Sequence, residues 1–539
     1  MTAAAAPASS FTGTGFLVGL YLRLDRVRIG IWAGAFFILI YSSVLAMEGA
    51  YPTQEALQAR ADVMHNPAAV MLTGPAFALD DYTFGAMLAN ELSLWTLLPT
   101  AIMSILLVIR HTREAEETGR METLRALAVG RYAPTAATFI VVLLANIAVS
   151  ASIILALVLY GLPIADSSAF GLGTGLLGLF FGAVAAFTAQ LAEHARTVSG
   201  MAMGALGIAA IIRGFGDVIE PTGSWLSWFS PIAWVQQTRF YVDLRWWPLA
   251  LLIPASTLVL IAALRLSLRR DLGAGMLPSR QGRARADSRL LNRFGIANRL
   301  LSGTYIGWTA GLMIFALAFG TLASSLESFV ADNPAIGEWV PISMDDLTTS
   351  FAAVIVAFLA VGPCILTITS VLQMKGEEQD GRLDALLVTG TSRPAALSAW
   401  VTVSTVWAAV SMIILGFGTG IGLALVTGEA GWLVELTLAS AAYIPAILIS
   451  SALATALLAI GPRFTAIAWA YIAFLAIEVF LGDLLGLPSW LRSLSPISQT
   501  PLIPHESFDI APLAAMVAIA GLLYGVSLAA FRRRDIGIG

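Results

Sequence analysis

Residues 116–131 read EETGRMETLRALAVGR and residues 378–393 read EQDGRLDALLVTGTSR, so a mostly apolar chain states one polar phrase twice. Glu116, Gly119, Arg120, Glu122, Leu124 and Arg131 are answered by Glu378, Gly381, Arg382, Asp384, Leu386 and Arg393. In the first copy Met121, Leu124, Leu127 and Ala128 are spaced to share one face of a short helix, and Leu383, Leu386 and Leu387 make the matching ridge in the second. Gly119 and Gly381 interrupt the preceding helix, and Glu122 and Asp384 fall in the first turn of the new one, where a carboxylate suits the positive end of the helix dipole. The pattern predicts a short amphipathic helix lying across the ends of longer ones. A solvated loop whose arginines serve only membrane topology is the plain alternative; matched duplication favours two equivalent docking sites.

The surroundings of the two phrases fix the class of protein. Of 539 residues 58% are hydrophobic and only 12% are charged, and the mean hydropathy is +0.82. That is more apolar surface than a water-soluble core of this size buries, so a bilayer must be the solvent. A helix rises about 1.5 Å per residue and the hydrocarbon layer is about 30 Å thick, so a crossing takes roughly 20 apolar residues. Windows of this kind lie near 29–47, 85–109, 135–160, 168–191, 197–214, 247–266, 304–324, 349–373, 396–426, 432–460, 464–482 and 512–531. The expectation is an all-α polytopic protein of about 12 transmembrane helices. The N-terminal stretch MTAAAAPASSFTGTG has no basic region ahead of a short apolar run, so the first span is expected to act as the targeting signal.

With a cytoplasmic N-terminus, all of the 30 lysines and arginines except Arg60, Arg213, Arg239, Arg245 and Arg492 fall on the inner side. The positive-inside rule therefore predicts a multi-pass protein of the cell membrane with both termini in the cytoplasm. The stretch from about 265 to 303 carries Arg265, Arg269, Arg270, Arg280, Arg283, Arg285, Arg289, Arg293 and Arg299. Next to membrane spans such a run reads as a topology and anionic-lipid signal rather than a nucleic-acid patch.

The repeat extends over the whole chain. LDDYT, with Asp80 and Asp81, is answered by MDDLT, with Asp345 and Asp346; Pro99 by Pro363; SWLSWFSPI at 224–232 by SWLRSLSPI at 489–497; and RRDLGAG at 269–275 by RRDIGIG at 533–539. Each half holds six spans, an even number, so the repeats are parallel and predict a pseudo-two-fold axis along the membrane normal. The expected organisation is a first half over 1–266, an Arg-rich linker over 267–300 and a second half over 301–539. The aspartate pairs, standing just before helix starts, are expected to cap them.

The E-x-x-G-R-x-[E/D]-x-L loop after the second span of a six-span unit resembles the coupling helix of ABC-2 type (type V) exporter permeases. An amphipathic segment before the first span (FLVGLYLRLDRVR), a short inner loop between spans four and five, and a long outer loop carrying the SWL phrases are similar to that family too. The fused double-length form with a basic middle linker most resembles permeases of actinobacterial polyketide-antibiotic (tetronasin-type) exporters and mycobacterial drug-efflux relatives. The resemblance implies outward movement of amphipathic small molecules and an ABC ATPase as partner, two copies per chain, carrying the ATP and magnesium. It implies ATPase coupling through Glu116, Gly119, Arg120, Glu122, Leu124, Glu378, Gly381, Arg382, Asp384 and Leu386. Arg196 and Arg463, in the short inner loops, become secondary contacts, and the long outer loops become re-entrant hairpins.

Chemistry within the chain itself is not expected. A P-loop needs a Gly-Lys-Ser/Thr ending, and the only lysine, Lys375, stands in QMKGEE. GTGLLG at 173–178 matches a dinucleotide fingerprint but lies within an apolar span without a preceding strand; its glycines read as helix packing, as do Gly171 with Gly175 and Gly416 with Gly420. His65, His111, His194 and His505 lack the spacing of metal ligands and Cys364 stands alone, so no metal site is expected. Glu91, Arg213 and Glu478 are the intramembrane charges of interest, with Glu435 near a span end. Such charges usually pair or face a cavity, so they are gating candidates, and an Arg213–Glu478 pair across the seam between halves is one arrangement. The competing function is a proton- or sodium-coupled carrier that uses Glu91 and Glu478.

Overall fold

A backbone that crosses hydrocarbon must satisfy its own N–H and C=O groups, and the apolar windows do so as helices. The computed structural model describes residues 9–270, 273–277, 285, 287–322, 347–482 and 487–534, and no strand occurs among them. Two compact units divide the chain, Met1–Gln281 and Gly282–Gly539.

In the first unit the helices are α1 (Thr14–Ala50), α2 (Gln54–Val63), α3 (Pro67–Thr73), α4 (Phe84–His111), α5 (Arg113–Glu117), α6 (Arg120–Arg125), α7 (Ala133–Tyr160), α8 (Ile164–Leu191), α9 (Ala195–Ile219), α10 (Pro231–Gln236) and α11 (Trp247–Ser267). The second unit holds α12 (Arg293–Leu322), α13 (Leu347–Gln379), α14 (Arg382–Val388), α15 (Arg393–Thr427), α16 (Gly431–Ala441), α17 (Ile444–Ile460), α18 (Thr465–Leu481), α19 (Ser489–Arg492) and α20 (Ile510–Arg533). Eleven helical segments among the described residues are long and apolar enough to cross a membrane. The expected eleventh of twelve spans is the shorter apolar helix Thr465–Phe480, which at about 1.5 Å per residue falls short of a ~30 Å layer.

Within each unit, close approach of helices depends on residues without side chains. A Cβ at Gly178 of α8 would strike the Asn146 side chain of α7 and come within 2.9 Å of Thr100 of α4. Gly420 of α15 similarly lies against the backbone of Trp432 in α16. The glycines of GTGLLG therefore pack helices, as their apolar setting implied. At these contacts buried polar groups pair with one another: Asn146 Nδ2 donates to Ser104 Oγ at 2.9 Å, and the Tyr305 and Ser404 hydroxyls lie 2.9 Å apart.

Three boundaries differ from the sequence reading. The amphipathic segment before the first span runs unbroken into it, giving the 37-residue α1. Its early turns are held by burial of Leu17 and Tyr21 against Ala133, Ala137 and Val141. Residues assigned to the linker fold back on the first unit, where the Met276 and Leu277 N–H groups donate to the Gln190 and Leu191 carbonyls at the end of α8. The Asp80 and Asp81 expectation fails: both lie exposed in a 3-10 turn, and Thr83 caps α4 by accepting the Ala86 N–H at 3.2 Å. Asp345 and Asp346 lie outside the described residues.

Candidate functional site

In the first unit the repeated phrase turns at Gly119, whose φ of 71° is the left-handed conformation that glycine adopts without steric cost. Gly381 has the same φ in the second unit. The short helix that follows, α6 or α14, buries its second residue, Met121 or Leu383, and leaves Glu122 or Asp384 exposed in its first turn. Leu124 and Leu386 are half-buried. The apolar face expected in the first copy is shorter than its spacing suggests. α6 ends at Arg125, and Leu127 and Ala128 lie beyond it, exposed. Each loop thus presents a carboxylate and a bare aliphatic side chain, Leu127 at 51% and Val388 at 87% exposure, on an anchored base.

The base is an arginine clamp that sequence reasoning missed. Arg270 donates two hydrogen bonds to Glu116, at 2.7 and 2.9 Å, and two more to the Ala274 carbonyl (2.6 Å) and Gln190 Oε1 (3.1 Å). Arg534 takes the same position in the second unit, donating to both oxygens of Glu378 and to the Leu458 carbonyl at 2.7 Å. In each unit, then, the first glutamate of the phrase is fixed to the second arginine of the RRD motif and to the end of the fourth long helix. The signal was present in the recurrence of RRDLGAG and RRDIGIG, but within a basic stretch it read as topology.

Further contacts tie each loop to its unit. Arg131 donates to the Leu268 carbonyl (3.4 Å) and Arg393 to that of Arg534 (2.7 Å), so the end of each phrase grips the end of the last long helix. Arg120 is held by Glu114 at 3.1 Å and Arg382 by Glu377 at 2.6 and 2.9 Å. Hydrogen bonding to Glu377 raises the Arg382 guanidinium pKa above its ordinary value. Glu117 accepts the Ala195 N–H at 2.9 Å and so caps α9, while Lys375 donates to Thr465 Oγ1, at the start of α18, at 3.3 Å. Arg196, beside that cap, and Arg463, stacked 4.8 Å over the Phe464 ring, are both exposed.

The three intramembrane charges sit away from these loops. Glu91 is paired with Arg60 of α2, both largely buried. Arg213 pairs with Asp217 at 3.3 Å and donates to the Met71 carbonyl (2.6 Å) and the Val70 carbonyl (3.3 Å), which anchors α3 on α9; Asp217 in turn accepts the Ser227 hydroxyl at 2.7 Å. Glu478 accepts the Ser498 hydroxyl and lies 3.8 Å from Arg492. The two charges expected to meet across the seam are thus each engaged within their own unit. Glu435 is exposed. No group of three or more His, Cys, Asp or Glu side chains among the described residues is arranged to hold a metal ion.

The chain as a whole resembles known proteins. The family model described as "Multidrug efflux system permease Rv1217c, C-terminal domain" matches residues 290–532. The multidrug efflux system permease protein Rv1217c of Mycobacterium tuberculosis is 33% identical over 534 residues, covering 98% of this chain and 96% of the relative.

Proposed function

The chain belongs to the family of the multidrug efflux system permease Rv1217c, and from that premise we propose that it is the membrane subunit of an ATP-driven exporter of amphipathic small molecules. The energy comes from a separate ABC ATPase, two copies of which dock on α6 and α14 from the cytoplasm. ATP and magnesium reside on that partner, and the permease does no chemistry of its own.

The observation that carries this reading is the duplicated clamp. A docking element transmits force only if it is stiff relative to what it moves. Each loop is fixed through a buried glutamate–arginine pair to the end of the last long helix of its unit, and to the start of the fifth through the Glu117 cap in the first unit and the Lys375–Thr465 hydrogen bond in the second. Removing one partner of a buried ion pair typically costs about 3–5 kcal/mol when the other charge is left stranded, so such pairs resist being separated in the dry interior. Closure of the ATPase dimer would displace both short helices and move the helices behind them as near-rigid bodies. Glu122, Asp384, Leu127 and Val388 are the side chains left free to meet the partner.

The ion-coupled alternative is weakened because Glu91, one of the two carboxylates it needs, is committed to an ion pair with Arg60. Affinity purification of the full chain, with identification of what accompanies it, tests the proposal. The expected companion is a soluble protein with a Walker motif in a two-to-one ratio; its absence from active preparations would overturn the reading.

A further inference from the structure

In the first unit the space between the start of α1 and the Gly119 loop is filled by the chain itself. Tyr21 is 3% exposed, stacks 4.2 Å from the His111 ring at the end of α4, and shares a buried cluster with Ala133 and Leu124. The second unit builds the same corner from α12, α13, α14 and the start of α15, and leaves it open. A groove of about 370 Å³ runs between Ile296, Ala297 and Leu300 on one side and Leu383, Leu386 and Trp400 on the other. Two differences between the halves account for it. Ala297, the first buried residue of α12, offers a methyl group where Tyr21 offers a ring. With Pro99 aligned on Pro363, Lys375 replaces His111 and is drawn to Thr465 Oγ1 at 3.3 Å.

At about 30 Å³ for each water-sized group, the groove holds roughly a dozen of them. Its walls are aliphatic and aromatic, and the Trp400 Nε1 is committed to the Ser370 carbonyl at 2.7 Å, so a hydrocarbon guest is favoured over water. The rim, by contrast, is basic. Arg293 and Arg299 line the groove, both exposed, and neither pairs with a carboxylate among the described residues. The carboxylate in the lining, Glu377, is already neutralised by Arg382 at 2.6 and 2.9 Å. Leu291 and Phe294, 76% and 41% exposed, stand beside these arginines at the start of a membrane-crossing helix. Exposed apolar and basic side chains side by side at the end of a span mark a segment that lies in the membrane interface.

The faces of α14 show which way the groove opens. Leu383 and Leu386 turn into it, whereas Asp384 and Val388, four residues apart, are exposed on the other side of the helix. The groove therefore opens toward the ends of the spans and away from the side chains assigned above to the ATPase. We propose that it holds one acyl chain of an anionic phospholipid, with Arg293 and Arg299 donating to the phosphate. A neutral lipid would leave the two cations unmatched.

The site is independent of how transport is driven, and binding alone tests it. Dioctanoylphosphatidylglycerol and dioctanoylphosphatidylcholine are titrated separately into the full chain in a neutral detergent, and native mass spectrometry counts the lipid bound. The first phosphatidylglycerol should bind at least about fivefold tighter than the first phosphatidylcholine, because each arginine at the interface adds attraction for an anionic headgroup. Arg293→Gln with Arg299→Gln should make the two lipids equal. Arg23→Gln with Arg26→Gln, which takes the same charge from exposed positions of α1, should leave the preference in place. Ala297→Phe, which fills the groove with all charges kept, should lose the tight site, and thermal unfolding confirms each fold; were Ala297→Phe to unfold, the two arginine pairs alone decide. Equal affinity in the unaltered chain, a preference that survives Arg293→Gln with Arg299→Gln or falls as far in the α1 pair, or tight binding that survives in folded Ala297→Phe would each overturn the proposal and leave the groove to a protein side chain.

Discussion

Arg270 reaches back 154 residues along the chain to hold both carboxylate oxygens of Glu116, and the two side chains are 8% and 10% exposed. Arg534 holds Glu378 in the same manner. The clamp closes each unit on itself by joining the loop after its second long helix to the chain that leaves its last.

Geometry rather than charge alone makes this joint. Arg270→Lys keeps the cation but cannot bond both oxygens and the Ala274 carbonyl from one planar fork. Arg270→Gln should lower stability by less than the ~3–5 kcal/mol of a fully stranded charge, because Arg113 still donates to Glu116 at 2.9 Å; Arg270→Lys should recover only part, and adding Glu116→Gln to Arg270→Gln should lower stability further by leaving buried Arg113 without its carboxylate. Thermal unfolding of the purified chain reads all three.

The exposed ends of the loops should behave in the opposite way. Glu122→Arg with Asp384→Arg touches no buried contact, so unfolding should shift by less than about 0.5 kcal/mol. Efflux should nevertheless fall to background while the partner still hydrolyses ATP, an outcome read by comparing drug accumulation with phosphate release.

Glu91 separates the two transport mechanisms. As one half of a buried pair, its replacement in Glu91→Gln should destabilise the chain, and Arg60→Gln on top of it should restore both stability and transport. A proton carrier would show the reverse: stability unchanged by Glu91→Gln and transport abolished in the double variant too.

Helix contact through glycine can be checked against an internal control. A side chain at Gly178 meets Asn146 and Thr100, whereas one at Gly204 meets nothing within 4 Å. Gly178→Leu should cost about 1–3 kcal/mol or more from overpacking, and Gly204→Leu should be close to neutral by thermal unfolding.

The helices, the repeat and the loops were legible in the sequence because hydropathy and duplication are local signals. Gly119 and Gly381 could be read as breaks, Met121 and Leu383 as anchors. The clamp was less legible: Arg270 and Arg534 are ordinary members of basic stretches until the fold brings them to carboxylates some 150 residues away. Charged partners are hard to read for a related reason. Arg213 and Glu478 suggest each other as partners because Asp217, one turn away on the same helix, and Ser498, in an irregular loop, carry no pairing signal in the sequence. Asp80 and Asp81 have the residue type of a cap, but Thr83, closer to the helix, does that work.

The central claim is that work enters through α6 and α14 from a separate ATPase, and drug export into sealed proteoliposomes tests it most directly. The account predicts uphill accumulation only when the permease, the ATPase and ATP are all present, and none with the Glu122→Arg, Asp384→Arg permease. Uphill transport by the permease alone, driven by an ion gradient, would contradict it.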